Sequence, residues 1–130
     1  MQRVLGPCER FVPVTRVHAF SDDALSDFDA VGLVEAMAQG LAAADVVEAT
    51  VARAESVDGD LGALAHRAFD QARQQAANPR GGFFSGVPTL VKDNVDVAGM
   101  PTQQGTDAFV ARPAAKDGDF ARQYLAKGLI

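Results

Sequence analysis

GVPTLVKDNVDVAGMPTQQGT, residues 86–106, places a lysine where apolar residues would be expected to continue. Val87-Pro88-Thr89-Leu90-Val91 reads as a β-rich run, Val95-Asp96-Val97 as a second, and Lys92-Asp93-Asn94 stands between them. Gly99, Pro101 and Gly105 punctuate the loop beyond. Two readings of Lys92 are open. In the first, its stem packs at a strand end and its ammonium reaches water. In the second, the amine is desolvated and works as a base. An ordinary lysine, with a pKa of about 10.4, is protonated at neutral pH, so a base requires burial or a second cation nearby. Asp93 next in sequence opposes that by favouring the charged form, and the sequence does not say which way either side chain faces.

The texture on either side of this stretch differs. Residues 1–28 read as an irregular arm: Pro7 and Pro13 break regular structure, Val12, Val14 and Val17 favour a short extended piece, and SDDALSD is an acidic turn. A helical segment covers 29–78. Its first helix is capped by Asp27 or Asp29, packs through Val31, Val34, Met37 and Ala38, and stops at Gly40. A second helix spans 44–57 with Val46, Val47, Val51 and Ala54 on one side, and DGDLG, 58–62, is expected to turn. Residues 63–77 read as helix on propensity, although their first residues could equally make a short strand. Asn78-Pro79-Arg80-Gly81-Gly82 closes that half, and 79–130 is the third part of what we read as a single incomplete domain. A last helix covers about Asp117 to Lys127, with Phe120, Tyr124 and Leu125 on its packing face. Gly128 caps it, and Leu129-Ile130 reads as the entry to a further strand, as in an α-to-β crossover. The expected fold class is therefore α/β: N-terminal helices followed by the first strands of a large mixed sheet.

Composition narrows the function. At 130 residues, 48% hydrophobic and 22% charged, the chain has the make-up of a globular domain. A net charge of −5 argues against nucleic acid as a partner, which needs a concentrated basic surface. Arg80-Gly81-Gly82 is read as a turn, not as an RNA-binding repeat. The single cysteine, Cys8, excludes an intrachain disulfide and is read as an inert thiol in a reducing, cytoplasmic setting. Apolar runs fall far short of the ~20 residues that span a bilayer, and the start lacks the apolar core of a signal peptide, so no membrane is expected.

The central stretch resembles the amidase signature family of serine amide hydrolases. The resemblance rests on Gly86-Val87-Pro88, Leu90-Val91, Lys92-Asp93-Asn94, Gly99-Met100-Pro101-Thr102 and Gly105, in order and without a gap. It extends to the paired helices upstream and the helix downstream, covering roughly residues 28–130. Asp58-Gly59-Asp60-Leu61-Gly62-Ala63 stands where family members often carry Asn-Pro-x-Leu-Asn-Ala, and Tyr124 replaces a leucine. The resemblance implies an incomplete amidase-signature fold and hydrolysis of carbon–nitrogen bonds in a small-molecule amide, with no cofactor and no metal. It implies a Ser–cis-Ser–Lys triad in which Lys92 is the base that deprotonates the bridging serine. The family's two serines lie in a Gly/Ser-rich segment downstream of the lysine, whereas Ser21, Ser26, Ser56 and Ser85 all precede Lys92. The chain is thus expected to be an N-terminal piece that stops before the nucleophile and is inactive alone.

Other candidates carry less. Ser85 in GGFFSG lacks the Gly-x-Ser-x-Gly setting of a nucleophile. His18 and His66 lack metal-ligand spacing. Asp22, Asp23, Asp27 and Asp29 read as a solvated acidic turn, since no Ca²⁺-loop pattern is present. Asp93, Asn94 and Thr102 read as loop-shaping residues near the site. Two alternatives remain. One is the A subunit of a tRNA-dependent amidotransferase, against which Thr102-Gln103-Gln104-Gly105-Thr106 replaces the usual Thr/Ser/Cys cluster. The other is a non-catalytic remnant or scaffold with aggregation-prone apolar faces.

Overall fold

A computed structural model describes residues 17–130 of the chain. Cys8 and the extended piece expected at Val12 and Val14 lie outside the described residues. Four helices are present among the described residues: α1, Ala30–Ala38; α2, Ala43–Leu61; α3, Phe69–Ala77; and α4, Asp119–Leu125.

Local chemistry explains where each helix begins and ends. The Asp29 carboxylate accepts the Gly32 N–H at 2.8 Å and caps α1, one of the two caps the sequence offers. Helix α2 runs four residues past its expected end and continues through 58–61, where a turn was expected. The reason is Asp58, whose side chain is only 6% exposed. Its carboxylate accepts the Ala63 and Leu64 N–H groups, each at 2.9 Å, and the Arg67 guanidinium at 2.6 Å. Those N–H groups are thereby withdrawn from helix pairing. Residues 62–68 become a connector, and the helix expected over 63–77 begins only at Phe69.

The core consists of two clusters separated by α2. Val46 packs with Leu33, Val87 and Leu129 on one side. Val47 and Val51 pack with Ala76, Phe69, Ala72 and Ile130 on the other. Helix α3 lies against α2, and Arg73 reaches back to Glu48 at 2.7 Å across the pair. Two expected packing residues face water instead: Val31 is exposed while Leu33 is buried, and Phe120 is exposed while Ala121 is buried. The exposed Phe120 ring stacks on Tyr124, centroids 5.3 Å apart.

The α/β expectation is corrected: among the described residues there is no strand and no sheet, only isolated bridges between Ala98 and Ala114 and between Pro101 and Pro113. A strand needs a ladder along its length. Apart from a local turn bond, Val87 N–H to Phe84 O (3.0 Å), residues 86–91 bond backbone at 128–130, through Gly86 N–H to Gly128 O (3.1 Å), Ile130 N–H to Val87 O (2.9 Å) and Thr89 N–H to Ile130 O (2.7 Å). Residues 95–97 make two local turn bonds, Val95 N–H to Lys92 O and Met100 N–H to Val97 O, and one distant bond, Gly118 N–H to Asp96 O (2.9 Å), which is no ladder. Leu90 is 73% exposed, so the run before Lys92 is not buried at its end.

What holds 86–91 in place is a backbone clasp. The 82–86 bend lies directly on 127–128, with Phe84 N–H donating to Lys127 O at 2.9 Å. A Cβ on Gly82 would sit 2.2 Å from Lys127 O, and one on Gly128 would sit 2.8 Å from the Ser85 Cα. Both glycines also have positive φ, +150° and +93°. Gly82→Ala is therefore expected to destabilise the chain by about 3 kcal/mol or more. Gly62→Ala serves as a control, because Gly62 has positive φ but no neighbour within 4 Å; its expected cost is about 1–2 kcal/mol. Urea unfolding of the two variants beside the parent checks the difference. Equal losses would mean that the close approach is not what the clasp requires.

Candidate active site

Lys92 stands where the extended segment ends. Its carbonyl accepts the N–H groups of Asn94 at 2.8 Å and Val95 at 3.1 Å, which turns the chain sharply. Its side chain is exposed, and among the described residues no carboxylate pairs with it within ion-pair distance. Lys92 lines an open, mostly apolar pocket of about 650 Å³, with Val51, Phe69 and Ala72 on the helix side and Leu90 and Ile130 beside it. Nothing among the described residues buries the ammonium.

Asp93 lines the same pocket, with its carboxylate bonded within the loop. Its carboxylate accepts the Gln103 N–H at 2.7 Å and the Gly105 N–H at 3.1 Å, and its carbonyl accepts the Gln104 N–H at 2.9 Å. The Gln103 N–H, chiefly, holds the Asp93 carboxyl below the usual carboxylate range; Gly105, Gln104 and the Lys92 charge add to it, and partial desolvation opposes. The turn so held includes Gln104, a non-glycine residue at φ +59°.

Two more carboxylates do similar work. Asp96 accepts the Thr102 hydroxyl at 2.7 Å, and Asp117 accepts the Ala98 N–H at 2.8 Å. Gln103 then gathers the following loop: its amide NH₂ donates to Thr106 O and Phe109 O, and its oxygen accepts the Ala111 N–H at 3.0 Å. Loop-shaping roles are thus found for Asp93 and Thr102. The Asn94 side chain is exposed. The loop-shaping roles of Asp96, Gln103 and Asp117 went unnoticed in the sequence; the available signal was polar residues set among Gly99, Pro101 and Gly105, where unpaired backbone groups need partners.

The remaining candidates separate from Lys92. Ser85 lies in the clasp, its N–H bonded to Gly82 O, and does not line the pocket. His66 is exposed on the pocket wall, and His18 is exposed in the arm. Asp23 pairs with Arg53 at 2.6 Å, which holds its carboxyl below the usual range. No group of three or more metal-ligating side chains occurs among the described residues.

Residues 45–130 match the family model described as Amidase, a span that contains Lys92 and every hydrogen bond of the turn around it. The chain belongs to the amidase family. It is 58% identical over 116 residues to a protein named "Putative amidase AmiC" from Mycobacterium leprae (strain TN), covering 88% of this chain and 25% of that protein. The protein of the same name from Mycobacterium tuberculosis (strain ATCC 25618 / H37Rv) is 54% identical over 120 residues, covering 90% of this chain and 25% of its own length. A glutamyl-tRNA(Gln) amidotransferase A subunit from Anaeromyxobacter sp. (strain K) is 34% identical over 101 residues, covering 72% of this chain and 20% of that protein. The chain spans about a quarter of the length of the curated relatives it matches.

The depressed Asp93 carboxyl has a consequence for this amidase turn. The stability it contributes is fully present above the ordinary aspartate value, about 3.9, and is lost as pH falls through the lower folded value. Carbon-detected NMR titration of the Asp93 carboxyl is expected to give a midpoint below about 3.9, with exchange protection of the Gln103 N–H lost over the same range. A midpoint at or above that value would contradict the bonding described.

Proposed function

We propose that the protein carrying this chain is an amide hydrolase and that Lys92 is its general base. The observation that carries the reading is the place of Lys92: it stands unpaired on the rim of an apolar pocket of about 650 Å³, at the signature position of a family match over 45–130. In the proposed mechanism, the Lys92 amine takes the proton of a bridging serine. That serine takes the proton of the nucleophilic serine, whose oxygen attacks the amide carbonyl. The amine leaves protonated and water hydrolyses the acyl-enzyme. The four serines of this sequence all precede Lys92 and none lines its pocket, so the chain on its own is proposed to lack activity.

The substrate class is a small-molecule amide, with no cofactor, no nucleic acid and no membrane partner; the pocket's apolar wall supports an acyl or amine group with hydrophobic surface. No helix among the described residues is long and apolar enough to cross a membrane, and cytoplasm is the proposed compartment. An amidotransferase A subunit is the second reading. It draws on the likeness at 34% identity, and the Gln103-Gln104 pair in place of a Thr/Ser/Cys cluster disfavours it.

The test is ammonia or amine release from a panel of small amides by the full gene product that carries this sequence. Wild type is expected to hydrolyse at least one, and Lys92→Ala to lower kcat/KM by about 10⁴. Undiminished hydrolysis by Lys92→Ala would remove the lysine from the mechanism.

A further inference from the structure

Lys92 and Asp93 are neighbours of opposite charge, yet their side chains have no partner in common. An aspartate beside a lysine would ordinarily compete for the ammonium, and an ion-paired lysine makes a poor base. Here the Asp93 carboxylate is directed to the backbone of 103–105. Both Asp93 carboxylate oxygens already hold N–H groups, Gln103 at 2.7 Å and Gly105 at 3.1 Å. The Asp93 carbonyl holds Gln104, and the Lys92 carbonyl holds Asn94 and Val95. Five hydrogen bonds therefore converge on these two residues, and none of them uses the Lys92 side chain. Hydrogen bonds to an ionised acceptor are the strong and directional ones. They fix the 92–93 peptide against a turn that contains Gln104 at positive φ, a conformation that needs outside support.

We infer that Asp93 is a positioning residue: its carboxylate, bonded to the N–H groups of Gln103 and Gly105, anchors the peptide that carries Lys92 to the 103–105 turn. The inference rests on the proposed role of Lys92 as base. Asp93 also lines the pocket, but its carboxylate is bonded to the backbone of the 103–105 turn. Its removal disturbs where the amine stands more than it disturbs binding on the helix side of the pocket, formed by Val51, Phe69 and Ala72.

The test compares Asp93→Ala and Asp93→Asn in the full gene product, with amide hydrogen exchange at Gln103 and Gly105 measured in each. Asp93→Ala is expected to lower kcat about a hundredfold while KM stays within about threefold, the scale of a displaced catalytic group. Asp93→Asn keeps one acceptor oxygen and is expected to recover roughly tenfold of that loss. Protection at Gln103 and Gly105 is expected in wild type and lost in Asp93→Ala. A kcat unchanged within about twofold in Asp93→Ala overturns the proposal. So does a loss equal in both variants that tracks a fall in Tm, which is what a merely structural role gives. If wild type hydrolyses no amide, the function reading fails, and exchange alone decides the anchor: amides that remain protected in Asp93→Ala overturn it.

Discussion

The contact on which the described structure depends is backbone on backbone, with no side chain between. The 82–86 bend meets 127–128 at a separation that excludes a Cβ at Gly82, and Phe84 N–H, Gly86 N–H and Thr89 N–H all find carbonyls within 127–130. Two consequences follow. Val87 and Leu129 are drawn together into the cluster with Val46 and Leu33, so the clasp and the α1/α2 core close as one unit. And the segment before Lys92 is tied down without a sheet by two bonds to Ile130, from Thr89 N–H to its carbonyl and from its N–H to Val87 O.

Beyond Lys92 the organising principle changes from burial to polar satisfaction. The 93–118 stretch has little apolar surface to bury, with only Val97 buried before α4. It is shaped by Asp93, Asp96 and Asp117, whose carboxylates take N–H or hydroxyl groups from across the loop, and by Gln103, which bonds three backbone groups of 106–111. Asp58 does the same for the α2–α3 connector. Carboxylates bonded to backbone N–H groups are a form of support that needs no strand partner and no large core.

The sequence made the family legible because its signal is local. Gly86-Val87-Pro88 to Lys92-Asp93, and then Gly99 to Gly105, form a pattern carried by residue type and spacing alone. The Asp29 cap and the burial of Val46, Val47 and Val51 were legible for the same reason. What misled was whatever depended on distant partners. Val87–Val91 has the composition of a strand, but a strand is a property of a ladder, and only 128–130 stands alongside. Asp58-Gly59 has the composition of a turn, but the buried Asp58 and its Arg67 partner carry the helix past it. GGFFSG was set aside as a nucleophile's setting, but the close approach of its Gly82 to Lys127 depends on a distant partner and was not legible. The loop-gathering role of Gln103 was not legible, because its three backbone contacts are set by a loop path that no periodicity encodes.

The central claim is that the glycine clasp forms one cooperative unit with the α1/α2 core and thereby fixes the segment that presents Lys92. Residue-resolved amide hydrogen exchange across the chain tests it most directly. The account predicts that the N–H groups of Phe84, Gly86, Thr89 and Ile130 are protected to the same extent as those of Val46 and Val47 within α2, all opening in a single step. Free-peptide exchange at those four positions, beside a protected α2, would contradict it, because Lys92 would then be tethered to the core and not placed by it.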